Sequence, residues 1–327
     1  MATEAASRLR GRSDAVPSPT YDWVFVDSDF VSADDARISV KANAVSYGTG
    51  TFDGMRATWN ADAGELYLLE PLSHYKRLHL SAKALGLALV RSAEDLVAIS
   101  IELLRRNDVR ADAYVRPLLF LAGDALTVRM HDIEPRLVVY ATPFPAGYIP
   151  VVGVRCLVSS WRRIPDACLP LRAKIIGSYA NPALAKTEAI AAGCDEAIML
   201  TVDGDVAEAT TSNIFLRRGE EWITPSVADD ILEGVTRRQV IELIRDELNE
   251  PVVERTIDRS ELYVCDEALL CGTAVQVVPL IEVDRRPVGD GGAGERTRVL
   301  MGTLAAAARG VDARYRHWTT PVYGTTR

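Results

Sequence analysis

Between the apolar runs RLVVYATPF and VRCLVSSW the chain carries FPAGYIP at 144–150, whose two prolines and one glycine suit neither a helix interior nor a central strand. Such punctuation reads as a linker, and it divides the 327 residues into a smaller unit at 21–143 and a larger one at 151–327. Two units also suit the length, because single hydrophobic cores stop growing at about 250–300 residues. Residues 1–20 are polar, end on Pro17 and Pro19, and read as a flexible lead-in that carries no chemistry.

The smaller unit mixes short strands, among them DWVFVD and TFDGMRATW, with a helix near 71–86, a second near 94–107, and the apolar strands AYVRPLLFLAG and RLVVYATPF. Tyr75, Leu78, Ala82 and Leu85 recur at helical spacing, with Pro71 in the first turn and Gly86 at the end. In the larger unit VRCLVSSW, EAIML, SNIFLRR, ALLCGTA and VVPLIEV read as strands, and 180–192, 236–248 and 294–308 as helices. A hairpin-like pair surrounds Asp203-Gly204. Strands outnumber helices without strict alternation, so the class is α+β.

Several functions are disfavoured at once. The net charge of −8 comes from 45 acids and 37 bases spread along the sequence, which argues against a nucleic-acid or anionic-membrane partner. No apolar run approaches the roughly 20 residues that span a bilayer, and the start lacks a signal-like core, so a cytoplasmic location is expected. The five cysteines, Cys156, Cys168, Cys194, Cys265 and Cys271, form no CxxC pair and read as reduced core thiols. Four histidines without ligand spacing argue against a catalytic metal, and no GxSxG elbow supports a serine triad. A small-molecule ligand is the default.

Amine chemistry has few candidates, because the lysines are only Lys41, Lys76, Lys83, Lys174 and Lys186. Lys174 lies in AKIIGSYANPALAKTEA, between a strand-like run and a helix announced by Asn181-Pro182, and such junctions face clefts. A desolvated lysine there can condense with an aldehyde cofactor and then act as a general base. Taken alone it reads more readily as a solvated surface lysine. Glu208, between the DGDVAE turn and the apolar SNIF, either faces a pyridine nitrogen and keeps it protonated or pairs with an arginine. Gly234, Val235 and Thr236 open the helix TRRQVIELIRDEL and offer backbone donors and a hydroxyl to a phosphate, with Arg77 a possible source of charge. Gly272-Thr273-Ala274 makes a second small-residue turn. SYGTGTFDGMR is glycine-rich but lacks the spacing of a nucleotide loop, so its Tyr47 and Phe52 read as pocket or core.

Seven blocks in order, SYGTGTFDGMR, RLHLSAK, AYVRPLLF, AKIIGSYANPALAKTEA, VAEATTSNIF, ILEGVTR and CGTAVQVVPL, resemble the class IV, fold-type IV aminotransferases, above all those acting on branched-chain amino acids. The likeness runs from about Asp22 to Val322. It implies a smaller N-terminal α/β domain and a larger C-terminal domain built on a β-barrel-like core with helices. It implies pyridoxal 5′-phosphate as cofactor, Lys174 as the Schiff-base lysine, Tyr179 on the cofactor's phenolic oxygen and Glu208 on its pyridine nitrogen. Arg77, Val235, Thr236 and Thr273 match the phosphate cradle. Tyr47, Phe52, Tyr114, Arg116, Thr273 and Ala274 match the substrate pocket. The partners implied are an amino acid, a 2-oxo acid and a second subunit, since the family forms dimers whose pockets close across the interface.

Three blocks depart from the branched-chain pattern. Ala209-Thr210-Thr211-Ser212 follows Glu208 where glycine-rich residues are usual, LAGDALTVRMHD replaces a glycine-containing loop, and Gln276 stands in place of an acid. The first variant also occurs in D-amino-acid transaminases and aminodeoxychorismate lyases. The sequence thus points to an L-amino acid:2-oxoglutarate aminotransferase for aliphatic side chains, beside a D-amino-acid or (R)-amine transaminase and a lyase of the same fold. A binding protein without cofactor is the remaining reading.

Overall fold

The protein is described by a computed structural model that covers residues 21–145 and 147–324, so the expected lead-in at 1–20 lies outside the described residues. Strands β1 (Trp23–Val26) and β2 (Asp29–Ser32) form a hairpin, and helix α1 (Asn43–Tyr47) leads through Gly48 into β3 (Gly50–Phe52), β4 (Met55–Asn60) and β5 (Glu65–Leu69). Helices α2 (Pro71–Ala84) and α3 (Ala93–Arg106) follow, then β6 (Ala113–Leu121) and β7 (Pro135–Pro143). The starts of both helices follow local rules: Pro71 opens α2, and Ser92 with Asp95 closes a capping box on α3. Tyr75, Leu78 and Ala82 of α2 meet Leu96, Leu103 and Leu104 of α3 over Met55, Leu66, Val115 and Val139 of the sheet. This is one core.

TFDGMRATW, expected as a single strand, is two. β3 pairs with Leu118–Phe120 and β4 with Ala113–Val115 of the same strand β6, so the chain breaks opposite Arg116 and Pro117. Pro117 has no N–H to give to a ladder, but its carbonyl accepts the N–H of Asp53 at 3.0 Å. The Asp53 carboxylate takes the N–H of Gly54 at 2.7 Å.

The second sheet begins with β8 (Val154–Arg162); a 3-10 turn (Gly177–Tyr179) then feeds α4 (Ala180–Ala191). Strands β9 (Glu196–Leu200), β10 (Val206–Ala209), β11 (Asn213–Arg218) and β12 (Glu221–Thr224) precede α5 (Val235–Leu243). The expected helix 236–248 is α-helical only as far as Leu243 and ends in a π-helical turn, Ile244–Leu248. After it come β13 (Val252–Glu254), β14 (Glu267–Gly272), β15 (Gln276–Val283), β16 (Arg286–Pro287), α6 (Glu295–Ala308) and β17 (Thr319–Pro321).

The sheet runs β10-β9-β8-β15-β14-β11-β12-β13, with β16 on β15. Its two edges approach each other, since Val206 of β10 donates to the carbonyl of Ile257 just beyond β13 at 2.8 Å. The result is the barrel-like core expected for a fold-type IV α+β protein, filled by Ile198, Val206, Ile214, Leu270 and Val278. Last, β17 returns to the first sheet and pairs with β5, giving the order β17-β5-β4-β6-β7-β1-β2 with β3 on β6.

Cys156, Cys194, Cys265 and Cys271 are buried free thiols as expected, whereas Cys168 is exposed. Cys168 sits in the loop after β8, beyond the sheet that shelters the others. Among the described residues no helix is long and apolar enough to cross a membrane.

Candidate active site

Lys174 lies where the two sheets touch. Its carbonyl accepts from Phe52 at 3.1 Å, Ile176 donates to Gly50 at 2.9 Å, and the Lys174 N–H donates to Ser81 Oγ of α2 at 3.0 Å. Glycines make this contact possible. A Cβ on Gly48 would stand 2.7 Å from Cα of Gly177, and one on Gly50 would stand 2.7 Å from Cβ of Phe120. The glycines of SYGTG therefore serve chain crossing rather than phosphate binding. Held this way, Lys174 Nζ donates to Tyr179 Oη at 2.6 Å and lies 5.1 Å from the centre of the Phe52 ring.

On one side of this amine a cleft runs between α5, β10 and the loops after β8 and β14. Its floor holds Glu208, 6% exposed, whose Oε1 meets Arg163 Nη2 at 2.7 Å. Oε2 accepts from Asn213 Nδ2 at 2.9 Å and from the Leu232 N–H at 3.2 Å. Burial pushes the Glu208 carboxyl above its ordinary pKa, against the opposing pull of Arg163 and the Leu232 N–H. At the far end Gly234, Val235 and Thr236 line the cleft at the start of α5, and no side chain caps that first turn. Helix starts of this kind present free N–H groups to an anion. A Cβ on Gly234 would stand 2.1 Å from Asn213 Oδ1, so a side chain there would displace the Asn213 amide that donates to Glu208.

Arg77 reaches the same end from α2. Its Nη1 donates to the Glu233 carbonyl at 3.2 Å, while Nε and Nη2 grip the Asp53 carboxylate at 2.9 and 2.8 Å. Asp53 is fully buried and also lies 2.8 Å from His74 Nδ1. Burial alone would raise the Asp53 pKa; Arg77 and His74 outweigh it and hold the carboxyl far below its ordinary range.

On the other side of Lys174 lies a second compartment, lined by Phe52, Tyr114, Arg116, Phe144, Tyr148, Thr273 and Ala274. Lys174, Tyr179, Thr211 and Thr273 belong to both compartments, so the amine stands at their junction. Gly54 makes room for Tyr114, whose hydroxyl would lie 1.9 Å from a Cβ there. Burial pushes the Tyr114 hydroxyl up to about 12, keeping it a neutral donor. Arg116 rests over the Phe52 and Tyr114 rings at 4.7 and 5.1 Å, and its Nε is buried without a hydrogen-bond partner. No ion pair with Asp124 forms among the described residues, and Asp124 is exposed.

The structure thus gathers Lys174, Tyr179, Glu208, Arg77, Val235, Thr236, Thr273, Phe52, Tyr114, Arg116 and Ala274 around one cleft. Tyr47 is not brought there; it is 39% exposed at the end of α1. Thr211 enters the site from the variant block after Glu208, and Asp53 and Arg163 join it without having been singled out. Only Asp53 had a usable signal, an acid followed by glycine inside an otherwise apolar strand pattern.

A family model described as amino-transferase class IV matches residues 50–283. A probable branched-chain-amino-acid aminotransferase of Aquifex aeolicus is 43% identical over 302 residues, covering 92% of this chain and 97% of the relative. Among solved structures, a branched-chain aminotransferase from Thermoproteus uzoniensis with norvaline is 37% identical with a TM-score of 0.88, covering 92% of this chain and 99% of its own. The T.th. branched-chain amino acid aminotransferase complexed with N-(5′-phosphopyridoxyl)-L-glutamate is 34% identical with a TM-score of 0.86 and the same coverage, 92% and 99%.

Proposed function

The chain belongs to the class IV aminotransferases, and we propose that within this family it moves the amino group of an aliphatic L-amino acid to 2-oxoglutarate. It is a transaminase, and its cofactor is pyridoxal 5′-phosphate. The residues present fit that group: an amine at the mouth of a cleft, a buried acid on its floor, and an uncapped helix start beside a guanidinium at its end. Bound there, the cofactor supplies the electron sink that makes loss of a Cα proton feasible.

In this reading Lys174 would hold the cofactor through its amine and would carry the proton that moves during transamination, and Tyr179 orients that amine through its 2.6 Å hydrogen bond. Glu208 keeps a proton on the ring nitrogen, with Arg163, Asn213 and Leu232 fixing the direction of its carboxylate. Val235, Thr236 and Arg77 hold the phosphate, and Thr273 and Ala274 line the approach of the substrate carboxylate together with Tyr114.

The observation that carries the substrate proposal is Arg116. A guanidinium lying over two aromatic rings with an unpartnered buried Nε can turn to the distal carboxylate of a five-carbon dicarboxylic 2-oxo acid. The same rings accept an apolar side chain when that carboxylate is absent. The norvaline of one relative and the phosphopyridoxyl-glutamate of another support this pair of occupants. Tyr47, outside this chain's own cleft, would serve the pocket of a second copy in a cytoplasmic homodimer.

A donor panel with 2-oxoglutarate tests the assignment, with turnover of L-leucine, L-isoleucine and L-valine expected. The Thr210-Thr211-Ser212 turn beside Lys174 favours a second reading, in which D-alanine or (R)-amines react instead. Turnover of those with none of L-leucine would establish it, and pyruvate release without an acceptor would mark a lyase.

A further inference from the structure

Helix α2 presents His74, Arg77 and Ser81 as buried polar side chains, spaced so that all lie on one helix face. A buried polar group needs a partner, and each finds one in or beside the cofactor cleft. Ser81 takes the N–H of Lys174, while His74 and Arg77 both converge on Asp53. Asp53 Oδ1 alone meets Arg77 Nη2, His74 Nδ1 and the Gly54 N–H, at 2.8, 2.8 and 2.7 Å. Burial keeps His74 below its ordinary pKa, against the pull of Asp53, so the carboxylate compensates Arg77 rather than the imidazole.

The turn at Asp53-Gly54 does not itself require a charge, since a neutral amide can accept the same N–H. What requires it is the fork on Arg77. With Nε and Nη2 committed to Asp53, the guanidinium plane is fixed and Nη1 is the nitrogen left to face the start of α5, where it meets the Glu233 carbonyl at 3.2 Å. We propose that Asp53 is a positioning residue that aims Arg77 at the cofactor's phosphate and thereby sets the preference for phosphorylated over unphosphorylated pyridoxal. This rests on the cofactor assignment above.

Orientation and charge act in opposite directions here. Losing the carboxylate frees Arg77 from its rotamer, which weakens the hold on phosphate; losing its negative charge removes a repulsion, which strengthens it. The sign of the change separates the two effects, and the bidentate geometry assigns the larger one to orientation.

The test titrates the full chain, stripped of cofactor, with pyridoxal 5′-phosphate and with pyridoxal, reading the absorbance of the lysine-bound ligand. For Asp53→Asn the preference for the phosphorylated form, read as the ratio of the two dissociation constants, is expected to fall by at least about tenfold, the scale of one lost hydrogen bond to a charged group, with pyridoxal affinity nearly unchanged. Asp53→Glu is expected to restore most of the ratio. A parallel loss of both affinities, or a ratio that stays or rises, overturns the proposal. Should Asp53→Asn not fold, His74→Leu leaves the Arg77 fork but removes one of the carboxylate's anchors; a ratio lowered by about threefold is then expected, and an unchanged ratio overturns it. A parent protein that never forms a Lys174-dependent band with pyridoxal 5′-phosphate would instead sink the cofactor assignment.

Discussion

Lys174 Nζ lies 2.6 Å from the phenolic oxygen of Tyr179, and the ring of Tyr179 in turn packs edge-on against Phe52 with centroids 4.8 Å apart. The contact ties an amine from the second sheet's side of the cleft to an aromatic from β3 of the first. One side chain is thereby held at the boundary of both compartments.

Lys174→Ala is expected to abolish transamination and the absorbance of lysine-bound cofactor together. None of Lys41, Lys76, Lys83 or Lys186 lines the cofactor cleft, and Lys186 is engaged by Glu196 at 2.8 Å. Partial recovery with small added amines would support the general-base role. An equally yellow, equally active variant would refute the assignment.

Glu208→Gln should retain cofactor and lose at least about two orders of magnitude in turnover, the scale of a lost electrostatic partner in a dry site. An amide cannot hold the ring nitrogen's proton, and it leaves Arg163 without its 2.7 Å charge partner, so thermal stability should fall as well. Parent-like turnover with reduced stability would make Glu208 a structural acid only.

Arg116→Ala is expected to raise KM for 2-oxoglutarate at least about tenfold more than KM for 4-methyl-2-oxopentanoate, since a charge-assisted hydrogen bond is lost for the first substrate alone. Steady-state kinetics with both oxo acids decide it. Equal losses would mean that Arg116 only packs on Phe52 and Tyr114.

The acid limb of stability should carry the mark of Asp53. Its folded pKa lies below the unfolded value of about 3.9, so as pH falls the unfolded chain takes up this proton first. The stability contributed by the carboxylate is thus complete above that value and drains away below it. Urea midpoints measured at about pH 6 and about pH 3 should drop more steeply for the parent than for Asp53→Asn, which starts lower. Identical slopes would contradict the buried pairing with Arg77 and His74.

Much of this was readable from residue order, and the exceptions have physical reasons. Periodicity located α2 and α3 closely because their apolar stripes, caps and Pro71 agree with one another. TFDGMRATW misled because its break falls opposite Arg116 and Pro117 of a strand far along the chain, and the Asp53-Gly54 pair is the one local hint of it. Lys174 and Glu208 stood out through ordered motifs, whereas Arg163, in a loop with no motif of its own, becomes visible only when β8 and β10 are brought together. Tyr47 belongs to a pocket motif yet lies outside the cleft of its own chain, a distinction that sequence cannot draw.

The return of β17 to the first sheet bears on how the chain is made. Glu65 Oε1 accepts the N–H groups of Val322 and Tyr323, residues synthesised 257 and 258 positions later, and Val322 fills the core beneath them. Until the ribosome has delivered that stretch, β5 is an edge with its hydrogen-bonding groups open, a surface on which nascent chains can pair with one another. A chaperone acting during translation would find a client surface there, one that the finished fold closes with β17.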